Sequence, residues 1–308
     1  MNKGHHLKRW THRFAWALTC LIVLISPRLA PATEPPGVVA TIKPLHSLVA
    51  AVMEGVGTPA LLLEGDADPH HFALRPSQAR LLEGARAVFW IGPALESPLA
   101  RTLRANRPGR QVAAMMALPG MRHLPRDDGH GHGHEEEGLD AHIWLDVDNA
   151  QLMLREITRV LGGVFPAHVA KLEANARRMA QRLGELDAAI RASMAPLRGR
   201  DYVVYHNAYQ YFERRHGLVH TGLVQVNEEV APGPRQVSAI RRVLQGQGMR
   251  CLLRDPHTPP RMVHTLTEGM QVRVVEMDPA GLGLAPGPEL YPRLLEGVAA
   301  GFARCLGD

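Results

Sequence analysis

This sequence has few cysteines and no long apolar run. The chain has 308 residues and 3 cysteines. Its most apolar segment covers only residues 14–25, which is too short to span a bilayer comfortably. The sequence therefore does not favour a membrane-anchored protein, although an uncleaved anchor at residues 14–25 stays open as an alternative.

The first 32 residues are typical of a secretory signal. Four basic residues precede the short apolar segment, and small residues follow it at positions 30–32, where a signal peptidase would cleave. We therefore predict a signal peptide over residues 1–32 and an exported mature chain.

Removal of this segment changes the charge of the protein. Residues 1–32 hold five of the 35 Lys and Arg and none of the 30 Asp and Glu, so the mature chain has 30 of each. The calculated pI of 9.4 therefore largely reflects the targeting segment. A neutral mature chain gives no reason to expect a nucleic-acid partner.

Removal of the predicted signal peptide also changes the number of cysteines. Cys20 lies in the predicted signal peptide, which leaves Cys251 and Cys305 in the mature chain. Two cysteines in an exported protein favour one disulfide. Two buried free thiols are the alternative.

Strand and helix patterns alternate along residues 33–165 and again along 197–308, which predicts parallel sheets with helices on both faces. Residues 166–196 lie between them and carry apolar residues at three- and four-residue steps. The stripe contains Val169, Leu172, Ala176, Met179, Leu183, Leu186, Ile190 and Met194. We predict an α/β fold with two parallel-sheet (β/α)4-type lobes joined by one long rigid linker helix. Two shorter helices with a kink at Gly184 are the alternative.

Of the 17 histidines, 14 belong to the mature chain. One group lies in residues 123–137, which include His130, His132, His134 and three glutamates, and which we call the histidine-rich loop. Its glycine and acidic residues cannot build a core, so it is predicted to be solvated. Neutral imidazoles bind transition metals, so the loop is interpreted as an auxiliary metal-gathering segment. An incidental polar loop is the alternative.

A second group comprises His70, His142 and His206, each of which follows or ends a predicted strand. Ligands of open α/β sheets bind at the carboxyl ends of the strands. Three imidazoles favour zinc or copper over calcium, magnesium or manganese. Sequence spacing alone does not bring the three histidines together, because they are far apart along the chain.

Several motifs, in order, resemble the metal-binding solute-binding proteins of bacterial ABC importers, and in particular their zinc-specific periplasmic branch. They are residues 41–45 (TIKPL), 69–76 (PHHFALRP), 140–146 (DAHIWLD), 205–212 (YHNAYQYF) and 277–281 (MDPAG), together with the two mature cysteines. The resemblance runs from about residue 38 to the carboxyl terminus.

This resemblance implies two lobes joined by a long helix, with Zn²⁺ bound in the cleft between them. It implies metal ligands at His70, His142 and His206, and a possible fourth ligand at Asp278. Manganese-binding relatives have a carboxylate at the position of His206, so the histidine here favours zinc. A glutamate ligand found in some zinc relatives is replaced by Pro69.

The resemblance also implies a disulfide between Cys251 and Cys305, and a monomer in the periplasm that delivers Zn²⁺ to the permease of an inner-membrane ABC importer. No catalytic activity is expected. Glu228 and Glu229 precede a predicted loop near the cleft, where they are either cleft-edge carboxylates or solvated surface.

Three other functions stay open at this point. A manganese or iron carrier would have the same fold, and a zinc reservoir or adhesin would depend more on the histidine-rich loop. A zinc-dependent hydrolase would suit three histidines with an open fourth position. However, the sequence has no His-Glu-x-x-His motif and no obvious general base.

Overall fold

The computed structural model describes residues 37–105, 107–126, 138–225, 231–246, 249 and 251–308. The predicted signal peptide, the histidines of the histidine-rich loop at positions 130–134, Glu228 and Glu229 lie outside these residues. Among the helices of the described part, none combines the length and apolar character that a bilayer crossing requires.

The amino-terminal lobe is a parallel sheet of four strands in the order β2-β1-β3-β4. Its strands are β1 (Val38–Ala40), β2 (Ala60–Leu61), β3 (Ala87–Trp90) and β4 (Gln111–Ala114). Its helices are α1 (Lys43–Val52), α2 (Pro76–Glu83), α3 (Ser97–Arg104) and α4 (Val147–Val164). Every residue of β1 and β3 is buried, as expected for strands with helices on both faces.

The predicted linker helix is one element, α5 (Val169–Met194), flanked by 3₁₀ turns at Pro166–His168 and Ala195–Leu197. Its 26 residues span about 39 Å. Gly184 is exposed and the helix continues through it, so the kinked alternative is wrong. The buried positions of α5 recur at three- and four-residue steps and include five members of the predicted stripe, Leu172, Met179, Leu183, Ile190 and Met194, whereas Val169 at its start is exposed.

The carboxyl-terminal lobe repeats the architecture, with four parallel strands in the order β6-β5-β7-β8. Its strands are β5 (Val203–His206), β6 (Gly222–Gln225), β7 (Cys251–Arg254) and β8 (Arg273–Glu276). Its helices are α6 (Gln210–His216), α7 (Pro234–Leu244), α8 (Pro260–Thr267) and α9 (Leu290–Leu306). The strand order reverses between β5 and β7, which opens a crevice at their carboxyl ends.

The two lobes share one hydrophobic core. A single cluster of buried side chains includes Leu48 of α1, Leu183 of α5 and Phe302 of α9. Two smaller clusters cover the outer faces of the two sheets. Because separating the lobes would expose the shared core to water, we expect small tilts between them and not a wide hinge motion.

Cys251 at the start of β7 and Cys305 in α9 form a disulfide, with their Cα atoms 5.5 Å apart. Both residues are fully buried. The bond closes a loop of 54 residues, which the chain-entropy model relates to about 4 kcal/mol of stability. It therefore ties the last helix of the chain to the sheet that carries His206.

Candidate metal centre

The structure brings His70, His142 and His206 together, and we call these residues the histidine triad. One ring nitrogen of each lies within 4.8 Å of those of the other two. The ring centroids of His142 and His206 are 5.1 Å apart, and those of His70 lie 5.3 and 5.9 Å from them. Three imidazoles this close leave a space that a single metal ion would fill.

Each histidine reaches the cleft from the carboxyl side of a sheet. His70 lies in the loop after β2, and His206 is the last residue of β5. His142 precedes the 3₁₀ turn Ile143–Leu145, which leads into α4. Asp146 caps α4 by accepting a hydrogen bond from the Asp148 backbone N–H, which fixes where the segment that carries His142 ends.

Buried carboxylates hold two of the three imidazoles. His142 Nδ1 lies 2.8 Å from Asp140 Oδ1, and His206 Nδ1 lies 3.1 Å from Asp255 Oδ2. A carboxylate that accepts a hydrogen bond from Nδ1–H keeps the proton on that nitrogen and leaves Nε2 as the atom that can bind a metal. Asp140 Oδ1 also accepts a hydrogen bond from the His142 backbone N–H, so ring and backbone are fixed together.

Sequence reasoning missed the role of Asp255. This residue follows β7, next to His206 at the end of β5, so the two lie on either side of the point where the strand order reverses. Burial raises the pKa of the Asp255 carboxyl, but its hydrogen bond to His206 and the positive charge of that ring outweigh burial and hold the pKa below its ordinary value. Its position directly after a buried strand was the signal that could have identified it.

Asp278 lies in the loop after β8. Its Oδ1 accepts a hydrogen bond from the Ala280 N–H at 3.1 Å, and its Oδ2 accepts one from the Gly283 N–H at 2.9 Å. Within the described residues, Asp278 does not belong to the group of converging metal-binding atoms. Its role as a fourth ligand stays a prediction.

The triad lies in a cleft between the lobes with a volume of about 250 Å³. The cleft is also lined by His71 and Trp144 of the first lobe and by Tyr205 and His257 of the second. The His71 side chain is 50% exposed and that of His142 is 4% exposed, so we call the side of the cleft at His71 its mouth.

Hydrogen bonds from the second lobe hold the segment that carries His142. The Trp144 indole N–H donates to the Pro279 carbonyl at 2.8 Å, and the Tyr211 hydroxyl donates to the Asp140 carbonyl at 3.0 Å. A further hydrogen bond joins the lobes where Lys43 Nζ of α1 donates to the Leu282 carbonyl. His142 is therefore positioned by both lobes before any ligand binds.

Replacing Asp255 with asparagine is expected to weaken zinc binding by about 10–100-fold, the range for loss of a group that orients a metal ligand. The asparagine amide cannot match the carboxylate as an acceptor for His206 Nδ1–H. Competition with a chelator of known affinity measures the change. The matched control is Asp201→Asn, which alters an exposed carboxylate outside the cleft. An Asp255 variant that binds zinc as tightly as this control would contradict the orienting role.

The fold is that of two-lobed periplasmic metal-binding proteins of known structure. Chains described as "Crystal structure of ZnuA" and "Periplasmic zinc binding protein TroA from Treponema pallidum" superpose with TM-scores of 0.76 and 0.78 at 20% and 21% identity. The alignments each cover 88% of this chain, and 98% and 99% of the known structures.

The chain belongs to the ZnuA family, described as "Zinc-uptake complex component A periplasmic", which it matches over residues 38–305. It is 34% identical to the high-affinity zinc uptake system protein ZnuA of Brucella abortus (strain 2308), over 89% of this chain and 93% of the relative. It is 30% identical to the protein of the same description from Yersinia pestis, over 98% of this chain and 99% of the relative.

Proposed function

We propose that the mature protein captures Zn²⁺ in the cleft between its lobes through His70, His142 and His206, and delivers it to an ABC-type zinc importer. The observation that carries this proposal is the convergence of one nitrogen from each of the three histidines to within 4.8 Å of the others. Membership of the ZnuA family supports zinc as the cargo and the periplasm as the compartment.

The chemistry of the triad favours zinc within this proposal. Neutral imidazole is a preferred ligand of Zn²⁺, and three such ligands with an open fourth position are common around this ion. Manganese prefers carboxylate, carbonyl and water oxygens. Asp140 and Asp255 are hydrogen-bonded to imidazole Nδ1 atoms, so they orient two of the three nitrogen ligands and do not themselves supply the oxygen ligands that manganese prefers.

Capture requires little rearrangement, because ligands from both lobes are already close together. His70 and His142 belong to the first lobe and His206 to the second, so a bound ion cross-links the lobes. We propose that the fourth position is filled by water or by Asp278, the latter only if it gives up its bonds to the Ala280 and Gly283 backbone. Acid should release the ion, since a protonated imidazole cannot bind a metal.

Zinc titration of a triad variant tests the proposal. Replacing all three triad histidines with alanine is expected to abolish tight binding, because no nitrogen ligand of the group is left. The loop histidines are replaced by serine in every protein compared, so that the histidine-rich loop does not add weak sites. Isothermal titration in competition with a chelator gives affinity and stoichiometry.

The control for this experiment is the double variant His168→Ala/His264→Ala, which removes two exposed histidines outside the cleft. It should bind one zinc with unchanged affinity. Tight binding of zinc by the triad variant would exclude the histidine triad as the capture site.

A further inference from the structure

The cleft contains a third carboxylate–histidine pair in addition to the two that hold His142 and His206. His71 Nδ1 lies 3.3 Å from Asp68 Oδ2, and both residues line the cleft. This repeats the arrangement of the other two pairs, in which a carboxylate holds Nδ1 and leaves Nε2 for a metal. No described residue forms a hydrogen bond with His71 Nε2.

The three pairs differ in exposure in a graded way. The exposed fraction of the histidine side chain is 4% for His142, 14% for His206 and 50% for His71. His71 is therefore the member of the series that solvent reaches first. Its ring is 6.5 Å from that of His70, a separation only slightly greater than those within the triad.

His71 is nevertheless not part of the converging group. Within the described residues, that group contains only the histidine triad. His71 thus has its Nδ1 beside a carboxylate, as a metal-binding histidine does. Its side chain is half exposed, and it is adjacent in sequence to His70 of the triad. These three properties suit a residue that binds the ion in transit.

We propose that His71, held by Asp68, is a transfer ligand that binds incoming Zn²⁺ at the mouth of the cleft and passes it to the histidine triad. This inference rests on the proposed function. In the transfer, His71 Nε2 forms a bond to the ion as one water or chelator atom leaves. The first triad nitrogen to reach the ion replaces a second outer ligand, and the bond to His71 breaks as the other triad nitrogens bind and replace what is left of the outer ligands. Zinc accepts a fifth ligand transiently, so each exchange can proceed without a bare ion, and no electron is transferred.

Acidic residues also precede His71 along the chain, and one of them, Asp68, lines the cleft. Glu64, Asp66 and Asp68 lie within five residues of one another on the segment that leads to His70, and Glu64 and Asp66 are exposed. Carboxylates around a cleft raise the local concentration of cations and the rate of association. On the opposite side, His257 Nε2 bonds to the Asp66 carbonyl at 2.9 Å, which places the second lobe beside the same mouth.

A transfer ligand has a kinetic signature that a permanent ligand lacks. Because His71 lowers the barrier without holding the bound ion, its loss slows uptake and release equally and leaves the affinity unchanged. A permanent fourth ligand would instead raise the dissociation constant when removed. A solvated histidine with no role would change neither.

Two variants separate these cases. His71→Gln removes the ring nitrogen and keeps a polar side chain. Asp68→Asn keeps an Oδ1 acceptor for the His70 N–H, which Asp68 Oδ1 binds at 2.9 Å, but its amide group cannot accept from His71 Nδ1–H. The matched control is His264→Gln, an exposed histidine of α8 outside the cleft. The loop histidines are replaced by serine in all proteins.

Stopped-flow absorbance measures zinc transfer from 4-(2-pyridylazo)resorcinol to the protein, and back to an excess of the same chelator. We expect His71→Gln to slow both directions by a common factor of about ten, the lower end of the effect of losing a group next to a metal site. Asp68→Asn should show a smaller common slowing, and His264→Gln none. The ratio of the two rates, which gives the affinity, should not change.

Unchanged rates in His71→Gln, or a loss of affinity in it, would overturn the transfer role. Failure of the proposed function would look different. In that case the wild-type protein would take no zinc from the chelator, or the variant without the histidine triad would take as much as the wild type.

Discussion

Replacing Arg215 with methionine is expected to lower the free energy of unfolding by about 3–5 kcal/mol, the cost of removing one partner from a buried ionic network. The Arg215 side chain is 9% exposed. Its guanidinium bonds to Asp187 of α5 and also to Asp146 and Asp148 at the start of α4. One side chain of the second lobe therefore joins the linker helix to the segment that follows His142.

The loss is large because the carboxylates stay behind. Asp146 is fully buried and the Asp187 side chain is 9% exposed, so without Arg215 they are charges with fewer partners in a poorly solvated place. The exposed Asp148 contributes little. Urea unfolding at pH 7 measures the difference. The control is Arg214→Met, an exposed neighbour, which should change stability by no more than about 0.5 kcal/mol.

The effect of Arg215 should also depend on pH. Burial raises the pKa of Asp187, but its hydrogen bonds and charge interactions with Arg215 and Arg191 outweigh burial and hold the pKa below its ordinary value of 3.8. A depressed carboxyl pKa stabilises the folded state above the unfolded pKa, and this stability is lost as the pH falls through the folded value. The difference between wild type and Arg215→Met should therefore shrink below pH 3.8. A difference that is equally large in acid would contradict this explanation.

Replacing His206 with aspartate is expected to shift metal preference from zinc towards manganese. The change removes a nitrogen ligand and supplies an oxygen, which manganese prefers and which weakens the advantage of zinc. Loss of the ligand itself should cost zinc affinity more than the about 100-fold that loss of an orienting partner can cost. Competition between Zn²⁺ and Mn²⁺ at equilibrium measures the selectivity directly.

Asp255 should limit this gain. Its Oδ2 lies 3.1 Å from His206 Nδ1, so an aspartate at position 206 would bring two carboxylates together, and one of them would tend to hold a proton. The double variant His206→Asp/Asp255→Asn should therefore bind Mn²⁺ more tightly than the single variant. His206→Asn is the matched control, which should lose zinc without gaining manganese. Unchanged zinc selectivity in His206→Asp would contradict the assignment of this residue as a ligand.

Much of the fold followed from local patterns. The period of the apolar residues in 166–196 predicted α5, because one face of that helix packs on the shared core. The alternation of buried strands and helices predicted parallel sheets. The pattern is weakest at helix α3, which is only eight residues long and has only Leu99, Ala100 and Leu103 buried.

Less of the metal site than of the fold could be predicted from the sequence. The position of His70 after one predicted strand and of His206 at the end of another indicated the correct edge of each sheet, but only the ordered motifs suggested that the two edges face each other. The carboxylate partner of His206 could not be identified from the sequence, because Asp255 is 49 residues away along the chain. The backbone bonds of Asp278 and the position of His71 at the mouth also depend on how loops turn, which apolar periodicity does not encode.

A crystal structure of the zinc-loaded protein, with anomalous data collected on both sides of the zinc absorption edge, shows directly where the protein binds the ion. We predict one strong zinc peak in the cleft, bonded to one nitrogen from each of His70, His142 and His206 at about 2.0–2.1 Å. A strong zinc peak elsewhere, with none between these three imidazoles, would contradict the central claim that the triad is the capture site.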